Sequence, residues 1–430
     1  MKPFIFSIVV AVILIPFRGH GMTLEEGITR ILTNGRDIKI SRSDENVARA
    51  AVSVPRSALF PHIDLYANQT WLQYQPQAKF GSQIVPTSDD NFITYGVRAT
   101  QLLFDFGKTL SSVEAAKYSL QAREISTRRT QNRTILEFII SYCNLLEAEK
   151  QLQVATEDTR RYEGHKKDAE ARFKSGVATR NEVLQADVRL ADSRQRQLTA
   201  DNQRSLRISR INSLLARSLN EPLYPVEIEK NLFPSLTLDE AWKTALAASP
   251  EIKILDAEIS GKEEAIKTVR AEYWPNFFLQ GGYQYQENPY MVHQHNWSVI
   301  AGVNLNLWSG GATSARISMN RGQLQSLKFT REKIMDAVQL DVKNAHLDLE
   351  SSIQKIDVMK TSVAQAEENL RLQQLRYREG VGTALEVLDA VTLVSTAQTN
   401  WWKARYDAVR AEASLWYAMG KELVTLYGTR

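Results

Sequence analysis

A chain that restates its own landmarks in the same order, at long range, must fold as two related halves. Arg172-Phe173-Lys174-Ser175-Gly176-Val177-Ala178-Thr179-Arg180-Asn181-Glu182-Val183-Leu184-Gln185-Ala186 returns as Arg376-Tyr377-Arg378-Glu379-Gly380-Val381-Gly382-Thr383-Ala384-Leu385-Glu386-Val387-Leu388-Asp389-Ala390, with eight of the fifteen positions identical. Leu24-Glu25-Glu26 returns as Leu238-Asp239-Glu240, and Leu59-Phe60-Pro61 as Tyr273-Trp274-Pro275. A unit of about 200 residues is too long for a solenoid repeat. It implies one structure with internal pseudo-symmetry, whose function follows from what the halves build together.

Each half contains a rod. Lys108 to Lys174 has no proline and only Gly164; Ala312 to Glu379 has no proline and only Gly322. In the second stretch Ile334, Val338, Val342, Ala345, Leu349, Ile353, Ile356, Met359, Val363, Ala366 and Leu370 recur at helical spacing and mark a single apolar stripe. That period predicts a nearly straight helix, roughly 100 Å long at 1.5 Å per residue. A glycine turn, Gly176 or Gly380, ends each rod, and a shorter helix returns over 180–217 or 384–420. Each half opens with another short segment, 24–59 or 238–274, broken at Asn34-Gly35 or Ser249-Pro250. Two short helices end to end match one long one.

Between the opening segment and the rod the period changes to two. Phe277, Leu279, Gly281, Tyr283 and Tyr285 alternate with Phe278, Gln280, Gly282, Gln284 and Gln286. Val299, Val303 and Leu305 fall on the apolar side of the last strand, and Asn304 and Asn306 on the polar side. Weaker versions run from Ile63 and from Ile93. Strands of about ten residues suit a tilted membrane crossing, and aromatic residues (Trp71, Tyr74, Tyr285, Trp297, Trp308) cluster near their ends. The alternative is a half-buried sheet in a water-soluble protein. Four strands leave two open edges, which lipid forbids, and are fewer than the eight of the smallest membrane barrels. Closure then needs several chains around an axis.

The N-terminus fits export. Lys2 precedes the twelve-residue apolar stretch Phe4–Ile15, followed by Gly19-His20-Gly21. This is too short for a permanent transmembrane anchor. The expected division is a signal peptide over 1–21, a first repeat over 22–219, a linker over 220–237 and a second repeat over 238–430. Strands are expected at about 62–75, 91–104, 276–286 and 296–308, and long helices at about 107–174 and 311–379.

Composition narrows the function classes. Hydrophobic residues make up 43% and charged residues 24% of the 430, so disorder is excluded. The net charge of +4 falls to +2 without Lys2 and Arg18, and calls for no nucleic-acid partner. No phosphate loop, zinc-spaced cysteine set or nucleophile elbow occurs, so neither an enzyme nor a cofactor is expected. Cys143 is expected as a small buried helix residue. His293 and His295 sit in a loop between strands and offer two metal ligands where a site needs three or four.

These features together are similar to those of the TolC-like outer membrane efflux proteins, across essentially the whole mature length. The resemblance rests on the duplicated helix–strand–strand–helix plan and the proline before the first strand of each pair. It rests also on the strand-to-helix glycines in Leu103-Phe104-Asp105-Phe106-Gly107 and Leu305-Asn306-Leu307-Trp308-Ser309-Gly310-Gly311, and most specifically on Arg376-Tyr377-x-x-Gly380 with Glu386-Val387-Leu388-Asp389-Ala390. It implies a mainly α protein with membrane β structure. Three chains would form a twelve-stranded β-barrel in the outer membrane of a Gram-negative bacterium, continued by a long α-helical barrel in the periplasm. It implies a passive exit duct for efflux or type I secretion, docked to a periplasmic adaptor and an inner-membrane transporter (RND, ABC or MFS type). The alternative is an exported coiled-coil scaffold with no pore.

The resemblance also carries over residues. Glu386 and Asp389 match an acidic pair lining the periplasmic entrance, Tyr377 a tyrosine that ties coils together there, and Glu182 its acidic partner. Gly382 departs from the pattern, since some members have an arginine there that restrains the closed state. Glu386 and Asp389 lie three apart and share a helix face. Threefold symmetry would gather them in a ring that attracts cations and raises carboxylate pKa values. The alternative is the ordinary preference for acids in a first helical turn. Glu182 fits that case better, because Gln185 replaces the second acid in its copy.

Overall fold

The computed structural model describes residues 21–228 and 236–428. The expected signal peptide, apart from Gly21, and linker residues 229–235 lie outside the described residues. The first repeat runs α1 (Leu24–Asn34), α2 (Arg36–Ser57), β1 (His62–Trp71), β2 (Gln77–Phe80), β3 (Gln83–Pro86), β4 (Asn91–Phe104), α3 (Lys108–Lys174) and α4 (Arg180–Leu214). The second runs α5 (Leu238–Ala248), α6 (Pro250–Arg270), β5 (Asn276–Gln286), β6 (His295–Asn304), α7 (Ala312–Arg378) and α8 (Ala384–Ala418), closing with α9 (Leu423–Tyr427). Corresponding helices match in length: α3 and α7 have 67 residues each, α4 and α8 have 35, and α1 and α5 have 11.

Local chemistry explains the boundaries. Thr23 and Thr237 open α1 and α5 with reciprocal capping boxes to Glu26 and Glu240. Gly35 separates α1 from α2, and Ser249 with Pro250 at the first helical position separates α5 from α6. The rods end alike. Gly176 and Gly380 adopt φ of 76° and 79°, a conformation open to glycine without steric cost. Val177 N–H and Val381 N–H then donate back to the Arg172 and Arg376 carbonyls at 2.9 and 3.0 Å.

Side-chain pairs trace how short helices lie along each rod. Ser41 of α2 meets Thr127 of α3, while Arg204, Arg196 and Arg194 of α4 reach Glu149, Asp158 and Glu163 in antiparallel order. In the second repeat Arg331 of α7 pairs with Asp256 of α6, and Glu367 with Gln398 of α8. The main core gathers where α1, α3, α8 and the linker meet, around Phe138, Ile139, Tyr142, Ile28, Ile31 and Tyr406. There Tyr142 accepts from Val226 N–H at 2.9 Å, and its hydroxyl lies 2.8 Å from the Met22 carbonyl. Burial pushes its pKa up, keeping it neutral. Cys143 is fully buried beside it.

The four-stranded sheet has the order β1-β4-β5-β6, so the halves join at β4–β5 and β1 and β6 are its edges. All pairs are antiparallel, and residues opposite one another share a face. The register sets Ile63, Leu65 and Ala67 opposite Ala99, Val97 and Tyr95, then Gly281, Tyr283 and Tyr285, then Val299 and Trp297. One face therefore carries the apolar odd-numbered residues. The other carries Asp64, Asn68, Arg98, Gln280, Gln284, Ser298 and Asn304, interrupted by Phe92, Leu102, Phe278 and Ile300.

Two strand expectations need correction. β6 ends at Asn304, so Leu305 and Asn306 lie beyond the ladder, where the Asn306 side chain instead accepts from Trp308 N–H at 3.2 Å in a local turn. β1 ends at Trp71 rather than 75, and the short β2–β3 hairpin, not expected, follows it.

The sheet yields a prediction. A methyl at Gly96 would sit 2.4 Å from the Tyr283 carbonyl oxygen, whereas one at Gly281 meets nothing closer than 4.0 Å. Gly96→Ala is expected to destabilise the protein by about 1–3 kcal/mol through overpacking, and Gly281→Ala to leave it near wild type. Thermal midpoints of both variants in detergent check this ordering.

Candidate functional site

The residues singled out at the ends of the long hairpins are brought together, with more partners than the sequence revealed. Tyr377, in the last turn of α7, is buried. Its hydroxyl donates to Glu182 Oε2 at 3.3 Å, joining the second hairpin to the first. The Arg172 guanidinium lies 4.5 Å from the Tyr377 ring centroid and donates to the Arg378 carbonyl at 2.7 Å. One tyrosine is thus held from α3 and α4 together. Burial and the Glu182 charge push its pKa up, so it remains a donor.

Glu182 and Glu386 both close the first turn of their helices. Thr179 N–H donates to Glu182 Oε1 at 3.1 Å, and Thr383 N–H to Glu386 Oε2 at 2.9 Å. The helix-end role weighed as the alternative therefore applies to Glu386 as well as to Glu182: the same capping box forms in both copies. Glu386 also faces Arg376 Nη1 at 3.8 Å. The Thr383 hydrogen bond, with that guanidinium, holds the Glu386 carboxyl below its ordinary value within one protomer, the opposite of the upward shift expected for a crowded ring. Asp389 caps nothing. It is mostly exposed and lies 4.0 Å from Arg189 of α4. At Gly382 a Cβ would come within 3.0 Å of both Arg376 Cβ and Tyr377 N, so a larger residue needs the turn to give slightly.

Deeper between the hairpins, Asp158 is buried and accepts from Ser395 Oγ of α8 at 2.5 Å and from Arg196 of α4 at 2.9 Å. Tyr162 and Thr392 hydroxyls meet at 3.0 Å. Sequence reasoning missed these links and Arg172, although Arg172 recurs as Arg376 in the repeated motif. His165 begins the run His165-Lys166-Lys167, a pattern that reads as a solvated helix face, yet the structure buries its side chain. Its ring centroid is 5.5 Å from that of Tyr377, and its Nε2 is buried with no hydrogen-bond partner. His293 and His295 have ring centroids 6.4 Å apart, and among the described residues no group of three or more His, Cys, Asp and Glu is placed to hold a metal ion. Among the described residues no helix is long and apolar enough to cross a membrane.

The model of the family described as outer membrane efflux protein matches residues 27–217 and 241–421, one block in each repeat. This chain belongs to that family. The outer membrane efflux protein BepC of Brucella suis is 22% identical over 410 residues, 93% of this chain and 85% of that relative. The alkaline protease secretion protein AprF of Pseudomonas aeruginosa is 21% identical over 407 residues, 92% and 84% of the two chains. A solved structure of CusC is 19% identical with a TM-score of 0.80, covering 93% of this chain and 92% of that one. The outer membrane efflux protein described here is an exit duct of the outer membrane with a helical periplasmic extension, and the scaffold alternative is not favoured.

A pH dependence of the hairpin tips is expected from His165. Burial holds its pKa below the ordinary value of 6.5, against the pull of Asp168 and Glu182. The unfolded chain therefore takes up a proton here more readily than the folded tip, so stability is fullest above about pH 6.5 and falls as pH drops through that region. Amide exchange across 376–390, corrected for intrinsic rates, is expected to quicken on acidification from about pH 7.5 to about pH 5.5. His165→Phe should flatten the response; an unchanged response in that variant would place the sensor elsewhere.

Proposed function

We propose that three copies close their sheets into one twelve-stranded barrel, with odd-numbered residues toward lipid and even-numbered residues toward an aqueous lumen. The carrying observation is the sheet itself, with one predominantly apolar face, broken by Gln69, Gln101 and His295, and two free edges. Val299 and Val303 would face lipid and Asn304 the lumen; Leu305 and Asn306 would stand at the periplasmic rim. Aromatic residues support both membrane borders. Tyr95 stacks on Tyr285 at 4.9 Å near the outer end, and Phe106 on Trp274 at 5.2 Å where strands meet helices.

In this reading the helices of three copies enclose a periplasmic tunnel whose entrance lies at the Gly176 and Gly380 turns. Tyr377 and Glu182 tie the second hairpin to the first, and Glu386 and Asp389 flank the opening. A periplasmic adaptor would engage the helical extension, and an inner-membrane transporter would choose and drive the cargo. The duct supplies passage: its polar face mixes amides and hydroxyls with the charges of Asp64 and Arg98, which suits many solutes.

Two outcomes test this reading. Val303→Arg should impair assembly, at a cost below the roughly 2–4 kcal/mol of the bilayer midplane because Val303 stands one residue from the end of β6, while Asn304→Arg should assemble almost normally, as judged by the yield of heat-modifiable oligomer. Greater damage from Asn304→Arg would invert the faces. A stable, monodisperse monomer with full β-signal in detergent would contradict closure by several copies.

A further inference from the structure

Beyond the ties already described, α4 carries a row of arginines with an exception. Arg194, Arg196, Arg204 and Arg210 pair with Glu163, Asp158, Glu149 and Glu137, all on α3 of their own hairpin. Arg189 instead crosses to the other hairpin, placing Nη2 4.0 Å from Asp389 Oδ1 of α8. Neither charge is required by the repeated fold. The position equivalent to Asp389 in the first repeat is Gln185, and the position equivalent to Arg189 in the second is Leu393. Each copy therefore carries one charge that its twin lacks, and the two stand opposite one another.

Stability does not account for the pair. Both side chains are substantially exposed, 42% for Arg189 and 65% for Asp389, and exposed ion pairs add little to folding. Asp389 neither caps its helix nor has another basic partner within ion-pair distance among the described residues. What such a pair does control is the local field, which matters most in a narrow passage.

We propose that Arg189 is a specificity-determining residue of the duct, neutralising Asp389 so that the entrance presents alternating charges rather than an acidic ring. This rests on the reading that α8 lines the entrance of a threefold channel. Arg376 beside Glu386 works in the same sense at the neighbouring acid. The consequence is an entrance with only modest preference for cations, suited to cargo of either charge. Loss of Arg189 would convert it into a cation trap for multivalent ions.

The test uses the full-length oligomer in planar bilayers at about 0.1 M KCl, where the Debye length is about 10 Å and local fields are still felt. Reversal potentials in a KCl gradient and block by hexamminecobalt(III) are compared for wild type, Arg189→Gln, Arg189→Lys, Asp389→Asn, the Arg189→Gln/Asp389→Asn pair, and Arg194→Gln as a control on the same helix. Arg189→Gln should raise the cation-to-anion permeability ratio by about twofold or more and sharpen block several-fold. Arg189→Lys should resemble wild type, Asp389→Asn should shift toward anions, and the double variant should return near the wild-type ratio. Wild-type selectivity and block in Arg189→Gln, or an equal shift in Arg194→Gln, would overturn the proposal while leaving the duct intact. If Arg189→Gln fails to assemble, a wild-type ratio in Asp389→Asn would overturn it instead. Absence of conductance from the wild-type oligomer would refute the duct reading itself.

Discussion

The free edges of β1 and β6 set the terms for the rest of the molecule, because an unpaired strand edge carries a row of N–H and C=O groups that hydrocarbon cannot solvate. Within one chain β1 pairs only with β4, and β6 only with β5. The two edge strands are both ten residues long, so the end of one sheet matches the start of another. Nothing on the edges discourages such pairing: β1 has no proline, and its one charged residue, Asp64, lies on the polar face. An edge of this kind is blunted by charge or bulges in proteins that stay alone. Left open here, it fits the proposed pairing with other copies, which would bring their helices together beneath the closed sheet.

Those helices must then extend far from the sheet without a compact core. Each 67-residue rod is accompanied by shorter helices whose breaks, at Gly35 and Ser249, fall at equivalent places. The apolar seams are thin, and polar links supplement them. Asp158 shows the principle: a buried carboxylate is costly unless paired and hydrogen-bonded, and here it is matched by Arg196 and Ser395 from two further helices. The core around Tyr142 serves a different end. It ties Met22 and Val226, the start of the described chain and the link between repeats, to the middle of α3.

The sequence made the large plan legible because the plan is repetitive. Helix period, the Gly176 and Gly380 turns and the change to period two all appear twice, so weak local signals reinforced one another. What it hid was local or long-range. The β2–β3 hairpin has four-residue strands, too short to show alternation, with Pro86 at one end. Leu305 to Trp308 continue the odd-apolar alternation, yet the turn made by Asn306 takes them out of the ladder. His165 stands beside Lys166-Lys167 in what reads as a solvated charge run, and only the packing of the hairpins reveals that its ring is buried with Nε2 unpartnered. Tyr377 and Glu182 were matched through family resemblance. Arg189 was not, because a charge pair between helices two hundred positions apart leaves no local pattern.

The tips show how duplication and function divide the same residues. Thr179 with Glu182 and Thr383 with Glu386 keep a capping box in both repeats, since any helix starting after a glycine turn gains from a first-turn carboxylate. A residue preserved for that reason says little about an entrance. The informative positions are those where the copies diverge. Where the first repeat has Phe173 the second has Tyr377, whose hydroxyl reaches Glu182, so one capping carboxylate also accepts a bond from the opposite hairpin. Where the first repeat has Gln185 the second has Asp389, a charge that the cap does not use, and Arg189 stands where its twin position holds Leu393. Conserved features build two hairpins of equal length, and the departures from symmetry connect them.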